Sequence, residues 1–168
     1  VAVGANALDA NTTGQRNTSI GYLSLGANTT AANNTALGYA SLNVNTTGAD
    51  NTAIGSGALV ANTTASFNTG VGRSALSSNT TGTALVALGF QALENNVSDS
   101  DTIAIGTNAA RNATSSGSVI VGSQANSTGV MTGDNNVIIG YQSGFNMTSA
   151  SNNTAVGKDA LLQNTTGG

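Results

Sequence analysis

The chain has 168 residues and a net charge of −3; only 7% of its residues are charged, and it contains no Pro, Cys, His or Trp. A soluble domain ordinarily carries about 25% charged residues, while a disordered one combines high net charge with few branched aliphatics, so neither class fits. The four cations (Arg16, Arg73, Arg111 and Lys158) are dispersed, which excludes a basic nucleic-acid footprint. No apolar run approaches the roughly 18 residues of a membrane-spanning helix.

Taken from the N-terminus, Val1-Ala-Val-Gly4 predicts a short strand closed by glycine, followed by an Ala7-Leu8 segment and an Asn11-Thr-Thr13 corner. The cycle then restarts. Aliphatic-Gly pairs end at Gly4, Gly21, Gly38, Gly55, Gly72, Gly89, Gly106, Gly122, Gly140 and Gly157, with steps of 17 residues except for one 16 followed by one 18. A unit of 17 residues is too short for a helix pair or a propeller blade. It suits one turn of a solenoid made of short strands and tight corners. The Ala-Leu segments, about four residues between Gly and Asn-Thr-Thr, fall far below the 12 to 15 that an isolated helix needs.

Numbering each coil from Asn17, Asn34, Asn51 and their equivalents, positions 2 and 4 share one strand face. Position 4 is aliphatic throughout (Ile20, Leu37, Ile54, Val71, Leu88, Ile105, Val121, Ile139, Val156). Position 2 alternates between Thr and Val or Ile, the exchange of a partly buried β-branched site. Position 3 is mostly small. The hydrophobicity of position 4 predicts that it points inward, with a second inward file at Leu8, Leu25, Leu42, Leu59, Leu76, Leu93 and Leu161. The expected fold is all-β: a parallel β-solenoid, or β-roll, of about ten 17-residue coils spanning residues 1–168 as one array without evident caps. With strands about 4.8 Å apart, ten coils make a rod roughly 48 Å long. The start at Val1 without Met suggests a processed end or a segment of a longer chain, and copies stacked head to tail would continue the pattern.

One further column stands out. The twelfth position of the coil reads as the start of an Asn-x-Ser/Thr triplet in every repeat: Asn11, Asn28, Asn45, Asn62, Asn79, Asn96, Asn112, Asn126, Asn146 and Asn164. With 42 Ser and Thr in the chain, about a quarter of Asn residues would match that pattern by chance. Ten in ten coils predicts a longitudinal row of N-glycans. The competing reading is a bare ladder in which stacked amides and hydroxyls satisfy one another.

Catalytic chemistry has little to work with. There is neither His nor Cys, and the acids Asp9, Asp50, Glu94, Asp99, Asp101, Asp134 and Asp159 fall mostly in different coils. Asp99 and Asp101 form the only close pair, short of the six to eight oxygens that Ca²⁺ wants. No enzyme activity, metal or cofactor is expected. Tyr22, Tyr39, Phe90 and Tyr141 share position 6 with Ser56, Thr107 and Lys158, which reads as an exposed variable site that tolerates aromatics.

The Asn51-Thr-Ala-Ile-Gly-x-x-Ala-Leu59 frame, with Val1-Ala-Val-Gly4 and Ile103-Ala-Ile-Gly106, resembles the head repeats of trimeric autotransporter adhesins and is similar to phage tail-fibre repeats. The resemblance implies a parallel β-roll, often trimeric, in a surface adhesin. The period of 17 departs from the roughly 14 residues of that family's repeat, and the Asn-Thr-Thr is an addition to it. The expected function is an extracellular structural or adhesive fibre at a cell or virion surface, glycosylated. Its partners would be copies of itself, stacked head to tail or as a trimer, and a surface receptor or glycan. The alternative is an ice-binding solenoid using Thr ladders.

Overall fold

The computed structural model describes residues 1–166; Gly167 and Gly168, where the array was expected to end, lie outside the described residues. The chain is all-β. Ten strands, β1 (Ala2–Val3), β2 (Thr18–Ile20), β3 (Thr35–Leu37), β4 (Thr52–Ile54), β5 (Thr69–Val71), β6 (Val86–Leu88), β7 (Ile103–Ile105), β8 (Val119–Val121), β9 (Val137–Ile139) and β10 (Thr154–Val156), follow one another in a single sheet. Every pairing is parallel, and equivalent positions sit in register, as in Thr35↔Thr52, Ala36↔Ala53 and Leu37↔Ile54. This is a β-solenoid of about nine turns.

The other sides of the coil are joined by backbone hydrogen bonds too. Leu25 N–H donates to the Ser41 carbonyl at 3.0 Å and Leu42 N–H to that of Ala58 at 3.1 Å. Each corner is turned by residues with positive φ. Gly at position 5 takes φ from 123° to 140°, and positions 7, 9 and 17 follow in the left-handed region, as at Leu23 (58°), Leu25 (48°) and Asn33 (60°). A left-handed L-residue costs about 1–2 kcal/mol. At position 9 this is offset by the roughly 1.5–3 kcal/mol gained when the Leu side chain is buried.

The strand parity is the reverse of that expected. In every complete strand the middle residue is the buried one, and the aliphatic at position 4 faces out. The reason is cross-section. Leu59 Cδ1 and Cγ lie 3.5 Å from where a Cβ on Gly70 would stand, so the Leu of one corner reaches across to the back of the next strand. Only Ser, Ala or Gly fits there, at Ser19, Ala36, Ala53, Gly70, Ala87 and Ala104. Two coils invert the arrangement: Ile120 and Ile138 fill position 3 where position 9 has become Asn126 and Gly144. A Cβ on Gly144 would come within 3.1 Å of Ile138 Cδ1.

The Leu file points inward as expected at Leu25, Leu42, Leu59, Leu76 and Leu93, all fully buried. Leu8 is half-buried, and Leu161, with one neighbouring coil only, is 38% exposed. Between Gly122 and Gly133 the chain carries one residue more than between Gly38 and Gly48. The extra residue therefore enters upstream of Gly133.

Candidate functional site

Two asparagine files run inside the coil. Position 1 contributes Asn17, Asn34, Asn51 and Asn68, and position 12 contributes Asn28, Asn45, Asn62 and Asn79. All eight are buried. They converge on one carbonyl per coil. The Ala31 carbonyl accepts from Asn17 Nδ2 at 2.8 Å and from Asn28 Nδ2 at 3.1 Å. Gly48, Ala65 and Gly82 repeat this with the pairs Asn34 and Asn45, Asn51 and Asn62, and Asn68 and Asn79.

Each file also bonds along the rod. Asn62 Nδ2 donates to Asn45 Oδ1 at 2.9 Å, and Asn51 N–H donates to Asn34 Oδ1 at 2.9 Å. Burying an unpaired amide is costly; here both ends of each amide are used. Sequence reasoning saw the recurrent Asn of position 1 without assigning it this role. The signal available was that the same residue type recurs at two positions of one coil.

Six of the ten asparagines of the expected glycan row are enclosed by the coil. Asn28, Asn45, Asn62, Asn79, Asn96 and Asn126 are fully buried. Through Asn79, the Nδ2 that would carry the sugar is donating inside the coil. A folded coil has no room for an oligosaccharide at these sites. Three sequons also leave the twelfth position. Counted from the preceding Gly, Asn112 and Asn146 fall one place early and Asn126 falls three early, in the Leu file. Ala113 and Met147 take the buried twelfth position instead. Asn11, Asn112, Asn146 and Asn164 are partly exposed.

The file of paired amides ends at Asn96, whose Nδ2 and Oδ1 are both buried without a partner. Its Oδ1 stands 3.2 Å from an idealised Cβ on Gly82, where the equivalent contact to Gly48 is made by Asn62 Nδ2.

The two threonines of each corner are separated by the fold. The first bonds to the coil above, as when Thr46 Oγ1 donates to the Thr63 carbonyl at 3.1 Å. The second (Thr13, Thr30, Thr47, Thr64, Thr81) is exposed in a single file.

The outer strand face is apolar. Position 4 forms a continuous file from Val3 (56% exposed) through Leu37 (43%) to Val156 (65%). Beside it runs the position-2 file of Thr18, Thr35, Thr52, Thr69, Val86, Ile103, Val119, Val137 and Thr154, with no charge in either. Position 6 borders this face and carries four of the six aromatics. Tyr22 and Tyr39 stack with centroids 5.8 Å apart, Arg73 lies 4.6 Å from the Phe90 centroid, and Lys158 lies 6.0 Å from that of Tyr141. Glu94 and Arg111 pair at 2.6 Å on another side. Asp99 and Asp101 belong to no cluster of three metal-ligating side chains among the described residues. No family model, curated protein or solved structure matches the chain.

Proposed function

We propose that the chain is a structural segment of an extracellular fibre, a rigid spacer or adhesive rod that associates with copies of itself through the outer strand face. The observation that carries this reading is the outward aliphatic file, exposed or half-exposed along ten consecutive parallel strands. Nine steps of about 4.8 Å give the face a length of about 43 Å. A three-residue strand spans about 10 Å, so the area of the face is on the order of 400 Å², within the 300–600 Å² of the largest patch on a typical monomer. A standard interface buries roughly 800 Å² per partner, so the bordering positions 6 and 17 belong to the contact as well. A fibre also suits a body built from amide ladders and nearly free of charge. N-glycans belong to this reading only at Asn11, Asn112, Asn146 and Asn164, which are partly exposed.

Light scattering and negative-stain microscopy test it together. The expected particle is an elongated multimer, converted to soluble monomer by Leu37→Asp with Ile105→Asp. A wild-type chain that stays monomeric at high concentration removes the proposal.

A second reading, an ice-binding surface, is favoured by one observation: the regular file of exposed Thr13, Thr30, Thr47, Thr64 and Thr81. Thermal hysteresis abolished by Thr47→Lys would support it, and no hysteresis in the wild type would end it.

A further inference from the structure

The strand face has two borders, and their side chains differ. On one side stands position 17 (Arg16, Asn33, Asp50, Phe67, Ala84, Asp101, Gly117, Asn135, Asn152), and on the other position 6 (Tyr22, Tyr39, Ser56, Arg73, Phe90, Thr107, Ser123, Tyr141, Lys158). Each strand lies between one member of each file at the same height, β2 between Arg16 and Tyr22, β5 between Phe67 and Arg73. Resting on the self-association proposed above, we infer that copies pack parallel and in register, keyed by intermolecular cation–π contacts: Arg73 with Phe67 of the neighbouring copy, and Arg16 with Tyr22 of the neighbouring copy.

The argument is one of symmetry. When two such faces meet with their rods parallel, rotation about the rod axis sets position 17 of one copy against position 6 of the other. When the rods are antiparallel, each border meets itself reversed. The parallel arrangement gives Arg16–Tyr22, Asn33–Tyr39, Asp50–Ser56, Phe67–Arg73, Ala84–Phe90 and Asp101–Thr107. Of the three border cations, two meet aromatics and Lys158 meets Asn152; two carboxylates meet hydroxyls, and no like charges are opposed. Full antiparallel overlap of the ten strands sets Asp50 against Asp101, Phe67 against Ala84 and Arg16 against Asn135, so two carboxylates are opposed and Arg16 loses its aromatic partner, while Arg73 meets Phe90.

Phe67 supplies an independent reason. It is 65% exposed and held at φ 64°, an unfavourable backbone for an aromatic residue, on the rim of an apolar face. Arg73 already lies over Phe90 of the next coil. A planar guanidinium has a second face that an aromatic ring can cover. In the parallel pair Arg73 is held between its own Phe90 and the neighbour's Phe67.

The chain contains no Cys, so engineered thiols report contacts without interference. Asp50→Cys and Ser56→Cys chains are co-expressed, and disulfide-linked dimers are counted under mild oxidation; Asp101→Cys with Thr107→Cys is the second matched pair. Asp50→Cys with Thr107→Cys tests register, and Ser56→Cys with Thr107→Cys tests the antiparallel arrangement. Matched pairs are expected to cross-link about tenfold more than either mismatched pair, because the complex holds them at high effective concentration. Adding Phe67→Ser should reduce that preference. Multimers by light scattering in which the Ser56/Thr107 pair dominates, or all pairs react alike, overturn the parallel register while leaving self-association standing. Monomers by light scattering overturn both.

Discussion

Replacing Gly55 by Ala isolates the close approach of successive coils. A Cβ at Gly55 would stand 2.5 Å from the carbonyl oxygen of Gly72, 2.6 Å from its carbon and 3.1 Å from the Arg73 nitrogen, all backbone atoms that cannot rotate aside. The residue also has φ 133°, a conformation that favours glycine. Backbone strain of this kind costs about 1–3 kcal/mol, and forced overpacking about 1–3 kcal/mol more. The neighbouring bond from Gly72 N–H to the Ile54 carbonyl, 2.7 Å long, is stretched as the coils part; such a bond contributes about 1 kcal/mol. The expected destabilisation is therefore about 4 kcal/mol.

Gly157 is the internal control. Its φ of 123° is similar, yet a Cβ there meets nothing within 4 Å. Gly157→Ala retains only the strain, about 2 kcal/mol. Gly57→Ala, at φ 68° with its nearest atom 4.0 Å away, should cost about 1 kcal/mol. Urea denaturation followed by circular dichroism, with hydrogen exchange to localise the opening, measures all three. If Gly55→Ala and Gly157→Ala agree within about 0.5 kcal/mol, the usual scatter between independent sites, coil-on-coil approach is not what excludes a side chain.

The remaining predictions address the interior, the backbone and the sequons. Asn62→Ala removes the donor to Asn45 Oδ1 and the acceptor of Asn79 Nδ2, so it should cost about 3 kcal/mol. Asn96→Ala, which deletes an amide already without partners, should cost less than about 1 kcal/mol in the same assay. Leu59→Ala, at a fully buried site, should destabilise by about 3 kcal/mol. Leu37→Ala, on the outer face, should cost under about 1 kcal/mol in dilute monomer; equal effects would reverse the assignment of inside and outside. Ser74→Gly relieves a left-handed residue at φ 58° and should stabilise by about 1 kcal/mol, read as a rise in thermal midpoint. In folded protein from a glycosylating host, glycopeptide mass spectrometry should find Asn28, Asn45, Asn62, Asn79, Asn96 and Asn126 bare; a glycan on any of them in intact rods contradicts the buried file.

Much of the architecture was legible because the repeat is a one-dimensional signal. The Gly at position 5 marks each turn of the coil, and the strands lie immediately before it, from Thr18–Ile20 to Thr154–Val156. The Leu of the Ala-Leu pair was recognisable as a core residue because it recurs between polar neighbours. The buried amides were harder to see. Asn17 and Asn28 are polar residues at corners, and corners are ordinarily where Asn meets water. The sequon pattern at Asn28-Thr-Thr30 therefore suggested an exposed acceptor, when the Asn was turned inward to hold the Ala31 carbonyl. Counting from the preceding Gly would have shown that Asn112, Asn126 and Asn146 break the column, and that Ala113 and Met147 replace an amide by an apolar group.

The amino-acid order alone therefore determined the period, the position of every complete strand and the parallel stacking, because each follows from local turn chemistry repeated at a constant interval. The tertiary structure decided which strand face looks inward and which asparagines are enclosed. Period-two alternation shows that Thr18 and Ile20 share a face, but not which one. That choice depends on the width of the closed coil: Leu59 reaches across to Gly70, leaving room behind the strand for a methyl group and none for a file of Ile, Leu and Val.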